Sequence, residues 1–285
     1  MKNFKIILAL LFLQTFITAQ SLYTDEDVEI CKSKFDFAVK KDLKNKPIND
    51  VMIEVSKTFL GLGYEAFTLE KGETEQLVIH LSGLDCYTFF ESSLVFAKCI
   101  KNGKTSFEDY QKELTNIRYR DGKINGYPSR LHYASDWLYD NNNRGNVKDI
   151  TQQIGGIEFS KKIDFMSTHS HSYKQLKNNP EFVKEIKSIE DSINSRKYYY
   201  IPQNFIKCVE DSIHNGDIIL LTASADGLDI SHTGMAIKMD DGRMHFLHAP
   251  LRGKKIQITE QPLSDYVKSV DRHTGIMVAR VLEPK

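Results

Sequence analysis

Two spacings of hydrophobic residues divide the chain into a helical part and a strand-rich part. In the first part, apolar side chains recur every three or four residues, which is typical of amphipathic helices. Helices are predicted at residues 51–60, 89–100, 107–117, 133–139 and 180–194. The last third instead contains short segments rich in Ile, Val, Leu and Met. Strands are predicted there at residues 217–222, 233–239, 243–249, 255–259 and 275–282.

The order of these elements predicts the fold class. Helices followed by strands are typical of an α+β domain in which the two kinds of element are segregated. Residues 240–242, Asp-Asp-Gly, separate two predicted strands and indicate an antiparallel hairpin. Residues 122–179 have the weakest pattern and are predicted to form long loops over the core. Because no repeat or linker divides the chain, residues 20–285 are predicted to form one domain with loop and helix insertions at about 118–205.

The N-terminus has the pattern of a secretory signal peptide. Lys2 and Lys5 form a short basic region, residues 6–16 are almost wholly apolar, and Ala19 offers a small residue for cleavage. The apolar stretch is short for a membrane span, so residues 1–19 are predicted to be removed on export. The mature chain is then expected in the periplasm or outside the cell, without an integral membrane segment. An uncleaved N-terminal anchor is the alternative.

Charge and cysteine content narrow the function classes. The 285 residues include 38 basic and 38 acidic side chains, so the formal net charge is zero. This balance provides no electrostatic basis for binding nucleic acid. Four cysteines in an exported chain of this length are too few for a dense disulfide scaffold. The count allows one or two bridges, Cys31 with Cys208 for example, and also allows a free, reactive thiol.

Cys86 has the sequence environment of a nucleophilic cysteine. Gly83 ends an apolar run, and helical spacing begins after Cys86, so the thiol is predicted in the first turn of a helix. Free N–H groups and the helix dipole favour an anion there, which should lower the pKa of the thiol and supply donors to an oxyanion. A buried structural cysteine is the alternative. A bridge to Cys99 is excluded if one helix carries both residues, because about 20 Å would separate them.

Nine histidines are available as the general base, and the predicted strands favour His232. Gly234 lies two residues further on and would let another element approach closely. A three-residue turn at 240–242 would place His248 diagonally from His232 on the same face of the hairpin, where it could fix the tautomer of His232. A two-residue turn would place His248 on the opposite face. For a working pair, we expect the Cys86 sulfur about 3–4 Å from a ring nitrogen of His232.

At these residues the chain resembles the NlpC-type, papain-fold cysteine hydrolases that cut bacterial peptidoglycan. The resemblance rests on Asp85-Cys86, Gly216-Asp217, His232-Thr233-Gly234-Met235 and His248-Ala249. It implies a papain-like fold in which an N-terminal helical part carries the cysteine. A C-terminal antiparallel sheet would carry the histidine pair.

More narrowly, the chain resembles the N-acetylmuramoyl-L-alanine amidase-like branch of that superfamily. The likeness includes residues 84–91, 117–122 and 129–137 and continues to residues 231–234. It implies hydrolysis of the amide between the muramic acid lactyl group and L-alanine, in peptidoglycan or its muropeptide fragments. By this resemblance Cys86 is the nucleophile, His232 the base, and His248 the residue that orients His232. No metal or organic cofactor is implied.

Contacts with the substrate are predicted for the cluster of Arg130, Tyr133 and Trp137 and for residues that adjoin the catalytic cysteine and histidine. Trp and Tyr rings stack on sugar faces, and Arg pairs with carboxylates. The predicted substrate-binding residues are Asp85, Arg130, Tyr133, Trp137 and Ser231. The alternative for this segment is an amphipathic helix that buries Leu131, Trp137 and Leu138.

Three other functions fit parts of the pattern. A γ-D-glutamyl endopeptidase acting on the stem peptide would use the same catalytic residues. His169-Ser170-His171 suggests metal-dependent hydrolysis, but no further ligand lies at a typical spacing. The third function is that of a non-catalytic module that has the same fold and binds glycans or peptides.

Overall fold

The computed structural model describes residues 21–251 and 254–284. The predicted signal peptide, residues 1–19, lies outside the described residues. Among the described residues, no helix is both long and apolar enough to cross a membrane.

All five predicted helices are present. Within the described ranges the α-helices are α1 (Asp25–Lys40), α2 (Ile48–Lys57), α3 (Cys86–Asn102), α4 (Phe107–Arg118), α5 (Ala134–Asn143), α6 (Phe165–Thr168), α7 (Pro180–Asn194), α8 (Ile206–Val209) and α9 (Leu263–Lys268). The predictions at 51–60, 89–100, 107–117, 133–139 and 180–194 correspond to α2, α3, α4, α5 and α7. Helix α1 was missed because only four of its residues are buried, and one of these is Asp27.

The strands form one antiparallel sheet. They are β1 (Val147–Asp149), β2 (Ile157–Glu158), β3 (Tyr199–Pro202), β4 (Ile218–Ala223), β5 (Ile230–Lys238), β6 (Met244–His248), β7 (Gln257–Ile258) and β8 (His273–Val281). Their order is β2-β3-β8-β4-β5-β6-β7, and β1 pairs with β8 as well. The prediction of an α+β fold is therefore confirmed. Strands β1, β2 and β3 were not predicted, because they are short and lie in the segment interpreted as loops and insertions.

Side chains on the two faces of the sheet enter two separate cores. On β4, Ile218 and Leu220 pack into the larger core with the N-terminal helices, whereas Ile219 and Leu221 pack into a smaller core with α8 and α9. This alternation is the two-residue period of a strand buried on both faces. Helix α3 lies in the larger core, where every residue from Thr88 to Ile100 is buried. The start of α3 is consequently held against the sheet.

All four cysteines are free thiols. The suggested bridge between Cys31 and Cys208 is therefore wrong: Cys31 is buried in α1, whereas Cys208 is exposed. Helix α3 contains both Cys86 and Cys99, which confirms that they cannot form a bridge.

Candidate active site

Asp85 determines where α3 begins. Its Oδ1 accepts hydrogen bonds from the backbone N–H groups of Tyr87 at 3.0 Å and Thr88 at 2.8 Å, and the Thr88 hydroxyl completes a capping box. Cys86 is thus the first residue of the helix, as predicted. Because the cap occupies the Tyr87 and Thr88 N–H groups, the donor left for an oxyanion in this turn is the N–H of Cys86, which makes no hydrogen bond within the described chain.

The pKa of the Cys86 thiol is opposite to the sequence-based expectation. Burial and the neighbouring Asp85 carboxylate raise it to about 12, and hydrogen-bonding contacts with Thr233 only partly oppose them. At physiological pH Cys86 is therefore a neutral thiol.

The register of the β5–β6 hairpin brings His232 and His248 together. Gly234 pairs with His248 and Lys238 with Met244, so Asp240–Gly242 form a three-residue turn. This finding excludes the two-residue alternative. The Nε2 of His232 lies 2.7 Å from the Nδ1 of His248, and both side chains are buried. Gly234 is needed for this approach, because a Cβ there would lie 2.9 Å from that of His248.

This hydrogen bond is compatible with the tautomers that a general base requires. To accept a proton at Nδ1, His232 must carry its hydrogen on Nε2, which then donates to His248 Nδ1. His248 in turn carries its hydrogen on Nε2, a buried nitrogen without a partner among the described residues. His232 Nδ1 makes no hydrogen bond within the described chain and is the ring nitrogen that remains for Cys86.

A third buried histidine lies beside the pair. The ring of His273 is nearly parallel to that of His232, with centroids 6.3 Å apart, and its Nδ1 lies 2.8 Å from the Ser231 hydroxyl. Burial lowers the pKa of His248 to about 3 and of His273 to about 4, and it holds the pKa of His232 well below its usual value. All three imidazoles are consequently neutral at physiological pH.

Thr233 connects the histidine strand to the cysteine helix. Its hydroxyl donates to the Cys86 carbonyl at 2.8 Å, and it directly follows His232. No hydrogen bond joins the Cys86 sulfur to His232 in the described chain, so the expected contact of about 3–4 Å stays a prediction.

Two predicted substrate-binding residues, Asp85 and Arg130, line one cavity of about 260 Å³ next to Cys86. Tyr64 and Phe67 form part of the same wall. Arg130 is buried and its guanidinium is paired with Glu70 and Glu75, so its charge is already compensated within the protein.

The side chains of the other three predicted substrate-binding residues make contacts within the protein. Trp137 is 0% exposed and its ring packs edge-on against Phe90, so it belongs to the core and cannot stack on a sugar. The Tyr133 hydroxyl donates to Glu190 at 2.7 Å. The Ser231 hydroxyl contacts His273 and the Leu221 carbonyl. For Trp137, the structure supports the alternative of an amphipathic helix.

Four residues of this region were not identified from the sequence: Tyr64, Tyr266, Arg272 and His273. A negative charge on Cys86 would raise the pKa of Tyr64 and of Tyr266, which places both phenols near the sulfur. Tyr266 also packs edge-on against His248, with centroids 5.1 Å apart. These residues come from distant segments, and no local motif marks them.

His169 and His171, which suggested a metal site, are exposed, with ring centroids 6.3 Å apart. Among residues 21–251 and 254–284, no group of three or more His, Cys, Asp or Glu side chains is arranged to hold a metal ion.

Comparison with known proteins identifies the family. A model of the N-acetylmuramoyl-L-alanine amidase-like family matches residues 54–276. An N-acetylmuramoyl-L-alanine amidase from Bacteroides uniformis is 34% identical, over 82% of this chain and 99% of its own, with a TM-score of 0.77. A proposed xylanase from Bacteroides fragilis is 38% identical, over 79% and 99%, with a TM-score of 0.75.

A protein from Legionella pneumophila that is 22% identical has the same fold, with a TM-score of 0.69 over 90% of this chain and 95% of its own. No curated protein matches the sequence. Since the family model spans most of the described residues, and the Bacteroides uniformis amidase aligns over almost its full length, this chain belongs to the N-acetylmuramoyl-L-alanine amidase-like family.

Proposed function

We propose that the protein is a cysteine amidase that hydrolyses the bond between the lactyl group of N-acetylmuramic acid and L-alanine. Cys86 is the nucleophile, His232 the general base and His248 the residue that orients His232. The substrate is peptidoglycan or a muropeptide released from it. Membership of the N-acetylmuramoyl-L-alanine amidase-like family supports a cell-wall amidase, and the geometry of the site supports a cysteine mechanism.

One observation carries this mechanism. The 2.7 Å hydrogen bond between His232 Nε2 and His248 Nδ1 leaves the other nitrogen of a buried, neutral imidazole for the helix start that bears Cys86. A nucleophile, a base and a group that orients the base are the three components of this kind of catalysis.

The chemistry requires proton transfer together with nucleophilic attack. Because the thiol and the imidazole are both neutral at rest, His232 Nδ1 takes the thiol proton as the sulfur bonds to the lactyl carbonyl carbon. The Cys86 N–H can donate to the resulting oxyanion, and the nearby Tyr64 hydroxyl is a second candidate donor.

The intermediate then collapses. The C–N bond breaks, His232 gives its proton to the departing amine of L-alanine, and a thioester remains on Cys86. Water attacks the thioester while His232 takes a proton from it, and this proton returns to the sulfur as the muramic acid carboxylate leaves. Overall, the amide and one water molecule are converted to a carboxylic acid and an amine.

The proposal includes a papain-like, NlpC-type arrangement of the domain and export after removal of residues 1–19. The order of a cysteine helix followed by an antiparallel sheet with two histidines supports this arrangement. Export agrees with the location of peptidoglycan outside the cytosol.

Mass spectrometry of defined muropeptides tests the function. We expect the wild-type protein to release peptides that begin with L-alanine, and Cys86→Ala to lower the rate by at least about 10⁴-fold. Cys208→Ala is the matched control, because Cys208 is an exposed thiol outside the site, and it should keep full activity. Equal turnover by Cys86→Ala and wild type would refute the cysteine mechanism.

The same spectra separate the alternatives. A γ-D-glutamyl endopeptidase would leave L-alanyl-D-glutamate on the muramic acid, and cleavage between sugars would release saccharides with the peptides intact. Binding of fragments by both wild type and Cys86→Ala, without turnover by either, would indicate a non-catalytic module.

A further inference from the structure

A second cavity, of about 500 Å³, adjoins the histidine pair through His248. Its walls include His248, Tyr266, Gln257 and Arg272. No residue that lines it also lines the cavity next to Asp85. The two cavities are therefore separate: one adjoins the cysteine helix through Asp85, and the other adjoins His248.

The cavity is lined by an arginine whose side chain has no direct partner among the described residues. Arg272 is exposed, and its guanidinium makes no ion pair or hydrogen bond within the described residues. Asp271 also lines the cavity but does not pair with it. By contrast, Arg118 and Arg130 near the other cavity are buried and paired with glutamates. An arginine held in a concave site without a protein partner is suited to bind an anion from outside.

Arg272 lies close enough to the catalytic groups to contact a bound substrate. Arg272 directly precedes His273 and lines the same cavity as His248, and its charge contributes to the lowered pKa of His232 and of His273. Tyr266 is a neighbour of both the cavity and the catalytic residues: it lines the cavity and packs edge-on against His248, and ionisation of Cys86 would raise its pKa. Tyr266 therefore connects the catalytic residues with the cavity that Arg272 lines.

The chemistry of the substrate indicates which part carries the negative charge. In a muramoyl peptide the lactyl carboxyl is consumed in the scissile amide and the sugar is uncharged, so the free carboxylates lie on the peptide that leaves. We propose that the cavity lined by Arg272 and Tyr266 is the subsite for this peptide, and that Arg272 binds one of its carboxylates. This inference rests on the proposed amidase function and adds to it the residue that selects an acidic leaving group.

Two matched substrates test the subsite: a muramoyl tripeptide with free carboxylates, and the same compound with every carboxylate converted to a carboxamide. We expect Arg272→Met to lower kcat/KM for the acidic compound by about 10- to 100-fold. The neutral compound should change by less than about twofold. Arg272→Lys should recover part of the loss, because it keeps the charge but not the planar fork.

Lys268→Met is the control, since it removes the same charge from an exposed position on α9 that does not line the cavity. Equal losses on both substrates would show that Arg272 only supports the structure, and no loss on either would show that it contacts nothing; both results overturn the subsite. If the wild type cleaves neither compound, the amidase proposal fails. Calorimetric binding of the two compounds to Cys86→Ala, with and without Arg272→Met, still tests the subsite separately.

Discussion

Cys86 and the histidine pair belong to one candidate site but are positioned in different ways. Cys86 is placed by residues within three positions of it, through the capping box between Asp85 and Thr88. His232 and His248 are 16 residues apart and meet through strand pairing. The cysteine half therefore depends on local sequence, whereas the histidine half depends on the register of a hairpin, where a shift of one residue would separate the rings.

The two halves also respond differently to substitution. A cap contributes about 1 kcal/mol and is replaceable by other capping residues. Substitution of either histidine in the buried pair should cost more, because each ring provides the hydrogen-bond partner of the other. Apart from substitution of Cys86 itself, substitutions in the histidine pair should therefore lower the catalytic rate most.

The largest of these effects is expected at His248. His248→Ala should lower kcat by about 100-fold with KM little changed, because His232 loses the group that holds its tautomer. His248→Gln should recover part of the rate, since the amide oxygen can accept from His232 Nε2. His245→Ala is the control: it removes an equally buried imidazole from the opposite face of the same strand. Steady-state kinetics measures all three, and similar losses for both alanine variants would contradict an orienting role.

Acid should lower the free energy of unfolding through His273, and this effect is expected to be smaller than the loss of activity in His248→Ala. The pKa of His273 is lowered from 6.5 to about 4, so between these values the unfolded chain binds a proton that the folded protein excludes. The stability present above pH 6.5 is lost as the pH falls, by about 2 kcal/mol at pH 5 for this group.

Urea unfolding at pH 7.5 and pH 5 measures this loss, and His273→Gln should reduce it. His171→Gln is the control, because His171 is exposed. If His273→Gln leaves the pH dependence unchanged, His273 is not the group responsible.

The smallest effect is expected at Asp85. Asp85→Ala should lower the free energy of unfolding by about 1 kcal/mol, whereas Asp85→Asn should keep most of it, because Asn caps helices as well as Asp does. Asp85→Asn also removes a charge that raises the pKa of the Cys86 thiol, so iodoacetamide should alkylate it faster at pH 8. Thermal denaturation and alkylation rates measure the two effects. Slower alkylation of Asp85→Asn would contradict the electrostatic role of Asp85.

Prediction from the sequence succeeded where the signal was local or periodic. The helix starting at Cys86, helix α7 and the five C-terminal strands follow from spacing, capping and turn residues. It failed for Trp137, because a periodic helix has both a buried and an exposed face and composition does not show which one Trp137 occupies. It also failed for the thiol pKa, since the depth of burial around Cys86 depends on how the sheet packs on α3.

The amino-acid sequence by itself determined the candidate nucleophile, the α+β class and the two histidines on one hairpin, because each depends on residues close together in the chain. Tertiary structure decided the turn length that joins the histidines, the neutrality of the thiol and the three imidazoles, and the cavity lined by Tyr266 and Arg272. These properties arise from desolvation and from contacts between distant segments. They exist only once the sheet has closed over the cysteine helix.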